Sequence, residues 1–249
     1  MEEQVQTTQK WWASALMIGA VVGLVSLLLG ALGTKFGLWG FEGGFILLAV
    51  GTVLAAIVLF LGVIAGVYCL VKKMQSELSS ISVGVVVSVL MLGMMTTQFL
   101  AATGVPAIHN ISTDTESPPQ FDKLIAIRQA ENANPHEYDR EALADVQKAA
   151  YPQVKPLISE LAPAQMQILV VQALEDMGLD IIDTNPGAGR VEATDETFWF
   201  GFKDDVVVRI RPEGSGSVID VRSVSRVGQS DLGKNAERIS ELLTALRPN

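Results

Sequence analysis

The chain has 249 residues, 49% of them hydrophobic, yet it carries a formal net charge of −9. A soluble domain of this size rarely combines a mean hydropathy above zero with so acidic a balance, so the two characters must be segregated along the chain. Residues 1–104 hold four basic and four acidic side chains and residues 105–249 hold 14 and 23, which excludes nucleic acid as a partner because phosphate binding needs a basic face.

Three apolar runs open the chain: WWASALMIGAVVGLVSLLLGAL over 11–32, an uncharged stretch over 43–71, and ISVGVVVSVLMLGMMTTQFLAATG over 81–104. Each meets the roughly 20 residues that a helix needs to cross a hydrocarbon core while satisfying its own backbone. The first run is too long, and its flank MEEQVQTTQK too little basic, for a cleaved signal peptide, so a retained span is expected. Lys72 and Lys73 mark the loop between the second and third spans as cytoplasmic. The N-terminus is then also inside, and everything after the third span outside. Trp11, Trp12 and Trp39 fall where interfacial aromatics belong. Gly19 and Gly23, and likewise Gly62 and Gly66, have the GxxxG spacing that lets helices approach closely, read here as packing within the bundle. Without an acid or base inside a span, the expectation is an anchor, not a pump.

Residues 105–121, VPAIHNISTDTESPPQF, are rich in Pro, Ser and Thr and read as an extended linker or a segment draped over a domain. Asp139 to Tyr151 fits a short helix with Leu143, Val146 and Ala150 on one face. From Pro163, the spacing of Met166, Leu169, Val170, Ala173, Leu174 and Met177 predicts an amphipathic helix that Gly178 ends. Strands follow at LDIIDTN, RVEAT, TFWFGF, VVVRIR and VIDVRSV, separated by turn residues. A helix from about Asp231 closes the chain, with Leu232, Ala236, Ile239, Leu242, Leu243 and Leu246 on one face. The predicted class is α+β: a transmembrane anchor of three helices, then an antiparallel sheet of about four or five strands with helices on one face. The predicted boundary lies at 104/105.

Strand parity sets Val206, Val208 and Ile210 on one face of VVVRIR and Val207, Arg209 and Arg211 on the other. A turn between Gly214 and Ser215 puts Arg209 opposite Asp220, with Arg222 nearby. Arg209, Arg211 and Arg222 are therefore expected on the sheet's second face. They serve there either as solvated ion pairs or as a site for an anionic lipid headgroup or carboxylate, which arginine binds bidentately. In FWFGF, Phe198, Phe200 and Phe202 are expected beneath the helices and Trp199 on the arginine side.

GQSDLGKN, 228–235, resembles the phosphate loop G-x-x-x-x-G-K-[ST], but Asn235 replaces the hydroxyl and Asp231 puts a charge in the cradle. The expectation is a helix N-cap at Ser230 or Asp231, not a nucleotide site, with Arg226, Ser230 and Lys234 beside a helix start where some other anion could rest. Cys69 is the single cysteine, and His109 and His136 are the two histidines, so no disulfide framework, metal site or cofactor is expected. Ser230 and Lys234, four apart, and the pairs Asp195-Glu196 and Asp204-Asp205 are the catalytic candidates. The first reads as surface residues and the second as solvated acids.

Three separated blocks, IHNISTDTESPPQF, RVEATDETFWFGFKDDVVVRIR and VIDVRSVSRVGQSDLGKNAERI, resemble in order the domain-of-unknown-function family numbered 1499, found in bacteria and plastids. The resemblance covers most of 105–249. It implies a domain preceded in bacterial members by membrane spans, and it implies no activity or catalytic residues. The expectation is a non-enzymatic protein of the bacterial inner membrane whose outer domain binds a partner protein or an amphiphile. The alternatives are an accessory subunit of a larger membrane complex and an anchored hydrolase.

Overall fold

A computed structural model describes residues 10–247. The chain forms two compact units, one of residues 1–100 with Trp199–Gly201, the other of 101–198 with 202–249.

The first unit contains α1 (Trp11–Lys35), α2 (Phe41–Lys72) and α3 (Gln75–Thr103), all long and apolar enough to cross a membrane. Small residues set the α1–α2 packing. A Cβ added to Gly51 would lie 2.6 Å from the Gly23 carbonyl oxygen, so the two backbones meet where only glycine fits. Ser26 Oγ donates to Leu47 O at 2.8 Å across the same seam. Gly62 faces α3, where a Cβ would sit 2.7 Å from Val85 Cγ2. The glycine spacings are thus used between helices of this chain. Charges lie at the helix ends: Lys35, Glu42, Lys72, and Glu77 in the first turn of α3, which begins before the apolar run does.

The second unit is α+β, with β1 (Asn110–Ser112), α4 (Lys123–Ala130), α5 (Arg140–Ala150), β2 (Leu157–Ser159), α6 (Pro163–Asp176), β3 (Asp180–Asn185), β4 (Arg190–Glu196), β5 (Lys203–Glu213), β6 (Gly216–Ser225) and α7 (Lys234–Ala245). The six strands make one antiparallel sheet in the order β1-β6-β5-β4-β3, with β2 also paired to β6. That is more than the four or five expected; β1 and β2 are three-residue strands held on β6.

One sheet face meets α6 and α7. Met166, Val170 and Leu174 from α6 and Ile239 and Leu242 from α7 pack on Val206, Val208, Ile210, Ile219 and Val221. The parity of VVVRIR is as expected.

The second face is not open. Residues after β1 cross it, and Phe121 and Leu124 form a second small core with Val207 and Val224. Of the two readings of 105–121, the draped segment is the one observed. The α4 helix was not expected. Its N-terminus is capped from the sheet, because buried Glu192 of β4 accepts from the Asp122 and Leu124 amides at 2.5 and 2.8 Å. α5 is capped by Asp139, which accepts from Ala142 N at 3.1 Å, but its inward residues are Ala144 and Gln147, while Val146 is 43% exposed. Gln147 takes the place of a strand partner, accepting from Ser112 N at 3.0 Å and donating to Ser112 O at 2.7 Å.

Two further expectations change. FWFGF is the β4–β5 turn, not a strand, so Phe198 lies outside the core. The last helix begins at Lys234, three residues later than Asp231, because Leu232 and Gly233 are left-handed at φ 56 and 83°.

Candidate functional site

The β5–β6 hairpin turns at Gly214 (φ 58°) and pairs Arg209 with Asp220, Arg211 with Val218 and Val207 with Arg222. The three arginines do share the second sheet face. What the cover does to each differs.

Asp220 is fully buried and is the hub of the outermost group. Its Oδ2 accepts from Arg209 Nε and Nη2 at 3.1 and 2.9 Å and from Arg211 Nε at 3.0 Å. Arg209 Nη2 also reaches Asp114 Oδ2 at 3.0 Å and the Ser117 carbonyl at 2.8 Å. Two guanidiniums thus face two carboxylates, and the charge of the group is balanced. Only Arg211 keeps a largely solvent-facing side chain, 48% exposed.

Arg222 is buried completely. It donates to Asn110 Oδ1 at 3.0 Å, to Pro119 O at 3.1 Å, and to His136 O. Its guanidinium lies over the rings of Phe121 and Tyr138, 5.6 and 5.8 Å from their centroids. Among the described residues no carboxylate forms a salt bridge with it; carbonyl dipoles and ring faces carry the cation instead. Burial, reinforced by the Arg128 charge, brings its pKa down to about 10. Burial likewise pushes the Tyr138 hydroxyl up to about 12. Arg222 is therefore a fastener for the cover, not an exposed anion receptor.

Arg226 is in the same position. It binds Asp205 through Nε and Nη2 (2.9 and 2.7 Å) and Glu131 through Nη1 (2.7 Å). Arg128 of α4 takes the other side of Asp205 at 2.6 Å. Burial opposes the Arg226 charge, but its hydrogen bonds to Asp205 and Glu131 outweigh burial and hold its pKa above the usual arginine value. Arg238 of α7 bridges Asp195 and Asp204, contacting Asp204 Oδ2 at 2.8 Å. The acids expected to be solvated at strand ends are thus largely internal, Asp204 and Asp205 being 5% and 0% exposed.

The loop before α7 is filled by its own side chain. Asp231 accepts from Gly233 N at 2.8 Å and from Asn235 N at 2.9 Å, the amides a phosphate would use. Burial raises the Asp231 pKa, opposed by those two bonds. Ser230 Oγ accepts from Leu232 N at 3.2 Å, and Lys234 Nζ contacts Glu237 at 2.6 Å, so the two are not joined as a nucleophile and base. Asn235, at the position of the missing hydroxyl, is buried and binds Ser223 Oγ at 2.6 Å and the His109 carbonyl at 3.0 Å. Among the described residues, no three His, Cys, Asp or Glu side chains converge to hold a metal.

A family model described as a protein of unknown function, DUF1499, matches residues 110–246. The chain belongs to this family. No curated protein matches it. The matched stretch runs from the first residue of β1 to just past α7, so the DUF1499 region takes in the sheet, both helical layers and the arginine network, and leaves out α1, α2 and α3.

The DUF1499 region also holds the aromatic β4–β5 turn. The β4–β5 turn is closed by Thr197 N donating to Phe202 O at 2.8 Å and by Phe202 N donating to Thr197 Oγ1 at 2.8 Å. Gly201 supplies the positive φ, 65°, that the tight return needs. Phe198 and Trp199 stand on this closed loop, 72% and 52% exposed. Sequence reasoning missed Arg128 and Glu192, and it read Asp205 as a solvated acid where the structure buries it. The partner of Asp205, Arg128, sits on the unexpected helix.

Proposed function

We propose that this chain is an envelope protein of a bacterial inner membrane, anchored by its three helices, with the N-terminus and the α2–α3 turn in the cytoplasm and the α+β domain in the periplasm. The domain docks a partner protein or an amphiphile. Lys72 and Lys73 support the orientation. The observation that carries the docking reading is the pre-closed aromatic loop with exposed Phe198 and Trp199, since exposed rings on a rigid turn bury much area at little ordering cost. Within the arginine cluster of the second sheet face, Arg211 and then Arg209 are left nearest to solvent, 48% and 24% exposed.

A photo-crosslinking residue at position 198 of the full chain, activated in intact cells, tests the reading. Discrete adducts at Phe198, absent when the probe sits at exposed Glu175, are expected. Equal, diffuse labelling at both positions would remove the loop from the account. A single stoichiometric protein adduct would favour an accessory subunit.

A further inference from the structure

We infer that the outer half of α3 is a contact between two copies of this chain in the bilayer, held by the side-chain amides of their Gln98 residues. The inference rests on the reading of α3 as a membrane span and goes beyond the docking role of the domain.

The inner half of α3 finds its neighbours within the chain. Ile81, Gly84, Ser88 and Met91 are buried, and a Cβ added to Gly84 would lie 3.3 Å from the Leu16 carbonyl oxygen of α1. The outer half differs: none of residues 92–100 is buried. Thr96, Thr97 and Gln98 lie there. The two threonines satisfy themselves, donating to Leu92 O and Met94 O at 2.8 and 2.7 Å. Gln98 does not. Its amide brings two N–H donors and one carbonyl acceptor, it is exposed, and among the described residues it makes no hydrogen bond.

Depth makes that costly. A hydrocarbon layer of about 30 Å takes up about 20 residues of helix. Counted from Ile81, where the apolar run begins, it covers residues 81–100 and takes in Gln98. The α1 helix gives a matching level. Gly84 abuts Leu16, and a Cβ on Gly23 would lie 3.3 Å from Met91 Cε, so the two helices advance in step, seven residues against seven. Gln98, seven beyond Met91, is therefore level with Gly30, about 7.5 Å short of Lys35. Lipid tails offer an amide nothing there, and another helix does.

Symmetry makes that helix a second copy. All copies insert in one orientation, so a two-fold axis along the bilayer normal sets each residue beside its own counterpart at the same depth. A primary amide is self-complementary: Nε2 of one Gln98 donates to Oε1 of the other, and the reverse. Residues 78–100 carry no charge, so identical faces do not repel. Val86, Leu90 and Met94 precede Gln98 at intervals of four and form one exposed ridge, which packs into the groove of the same helix in the copy.

Energy transfer between full-length chains in phosphatidylcholine vesicles tests this. Donor and acceptor dyes on Gln172→Cys, in a Cys69→Ala background, report association as lipid is added to dilute the protein. We expect transfer well above that of randomly placed chains, lost in Gln98→Leu at a lipid-to-protein ratio about tenfold lower, and partly kept in Gln98→Asn. In the same background, Met94→Cys should form a disulfide-linked dimer on mild oxidation, and Phe60→Cys, exposed on α2, should not. Transfer no greater than random, association unchanged by Gln98→Leu, or equal crosslinking at 94 and 60 would each overturn the inference. Should Gln98→Leu fail to insert, the two cysteine variants decide alone. Alkaline carbonate extraction separates this claim from the anchor. A chain washed off the bilayer sinks both, and an integrated but monomeric chain sinks only the contact between copies.

Discussion

Arg222 and Arg211 lie on one face of one strand pair, yet their surroundings assign them opposite weights. Arg222 satisfies three acceptors inside the domain and has no access to water. Replacing it with alanine strands those acceptors, at about 1–3 kcal/mol each, so a loss of roughly 3 kcal/mol or more is expected in denaturant titration of the full chain in detergent. Lysine should rescue little, because one ammonium cannot reproduce a planar fork. Arg211→Ala should cost under about 1 kcal/mol, since its side chain is half-exposed and Asp220 keeps Arg209. Similar losses at the two positions would contradict the assignment. Glu192 gives a pH signature. Burial, the largest influence, raises its pKa above the ordinary glutamate value of 4.5 despite two amide donors. A carboxyl raised in the folded state stabilises most below its unfolded value, and the benefit is lost as pH rises through the folded value. The stability of Glu192→Gln relative to the native chain should therefore improve as pH rises from the ordinary carboxylate range towards neutrality. A difference that stays flat would mean that Glu192 is not perturbed.

The elements that repetition encodes were legible. α6 follows from Met166, Val170, Ala173 and Leu174 at helical spacing, and the β5–β6 register follows from the Gly214–Ser215 turn, which puts Arg209 opposite Asp220. α4 was not legible, because its eight residues, KLIAIRQA, carry little apolar periodicity. Its supports come from elsewhere: Glu192 at its N-terminus and Asp205 for Arg128 are about 70 residues or more away in sequence. FWFGF misled for the opposite reason. Its aromatic content has strong strand preference, but Gly201 and the Thr197 hydroxyl close it as a turn. The α4 layer carries a prediction of its own. If it is a second core and not a loose flap, Leu124→Ala should destabilise by about 2–5 kcal/mol, as for any buried leucine. A cost of only a few tenths would mean that the second sheet face is effectively solvated.

For the molecule as a whole, segregation of character was the most readable property. Apolar residues fill α1 to α3, and the net negative charge collects in the part that matches DUF1499. The basic face expected on that part was only half legible. Alternation set which side the arginines take, but not that residues 113–137 cover that side and pair them internally. The proposed orientation puts the domain on the side of the membrane opposite Lys72 and Lys73. Thiol labelling of intact cells tests that directly. In a Cys69→Ala background, a single cysteine at Gln172 on the exposed side of α6 should react with a membrane-impermeant maleimide, and one at exposed Gln75 should react only after permeabilisation. Labelling of Gln75→Cys in intact cells, with Gln172→Cys protected, would contradict the account.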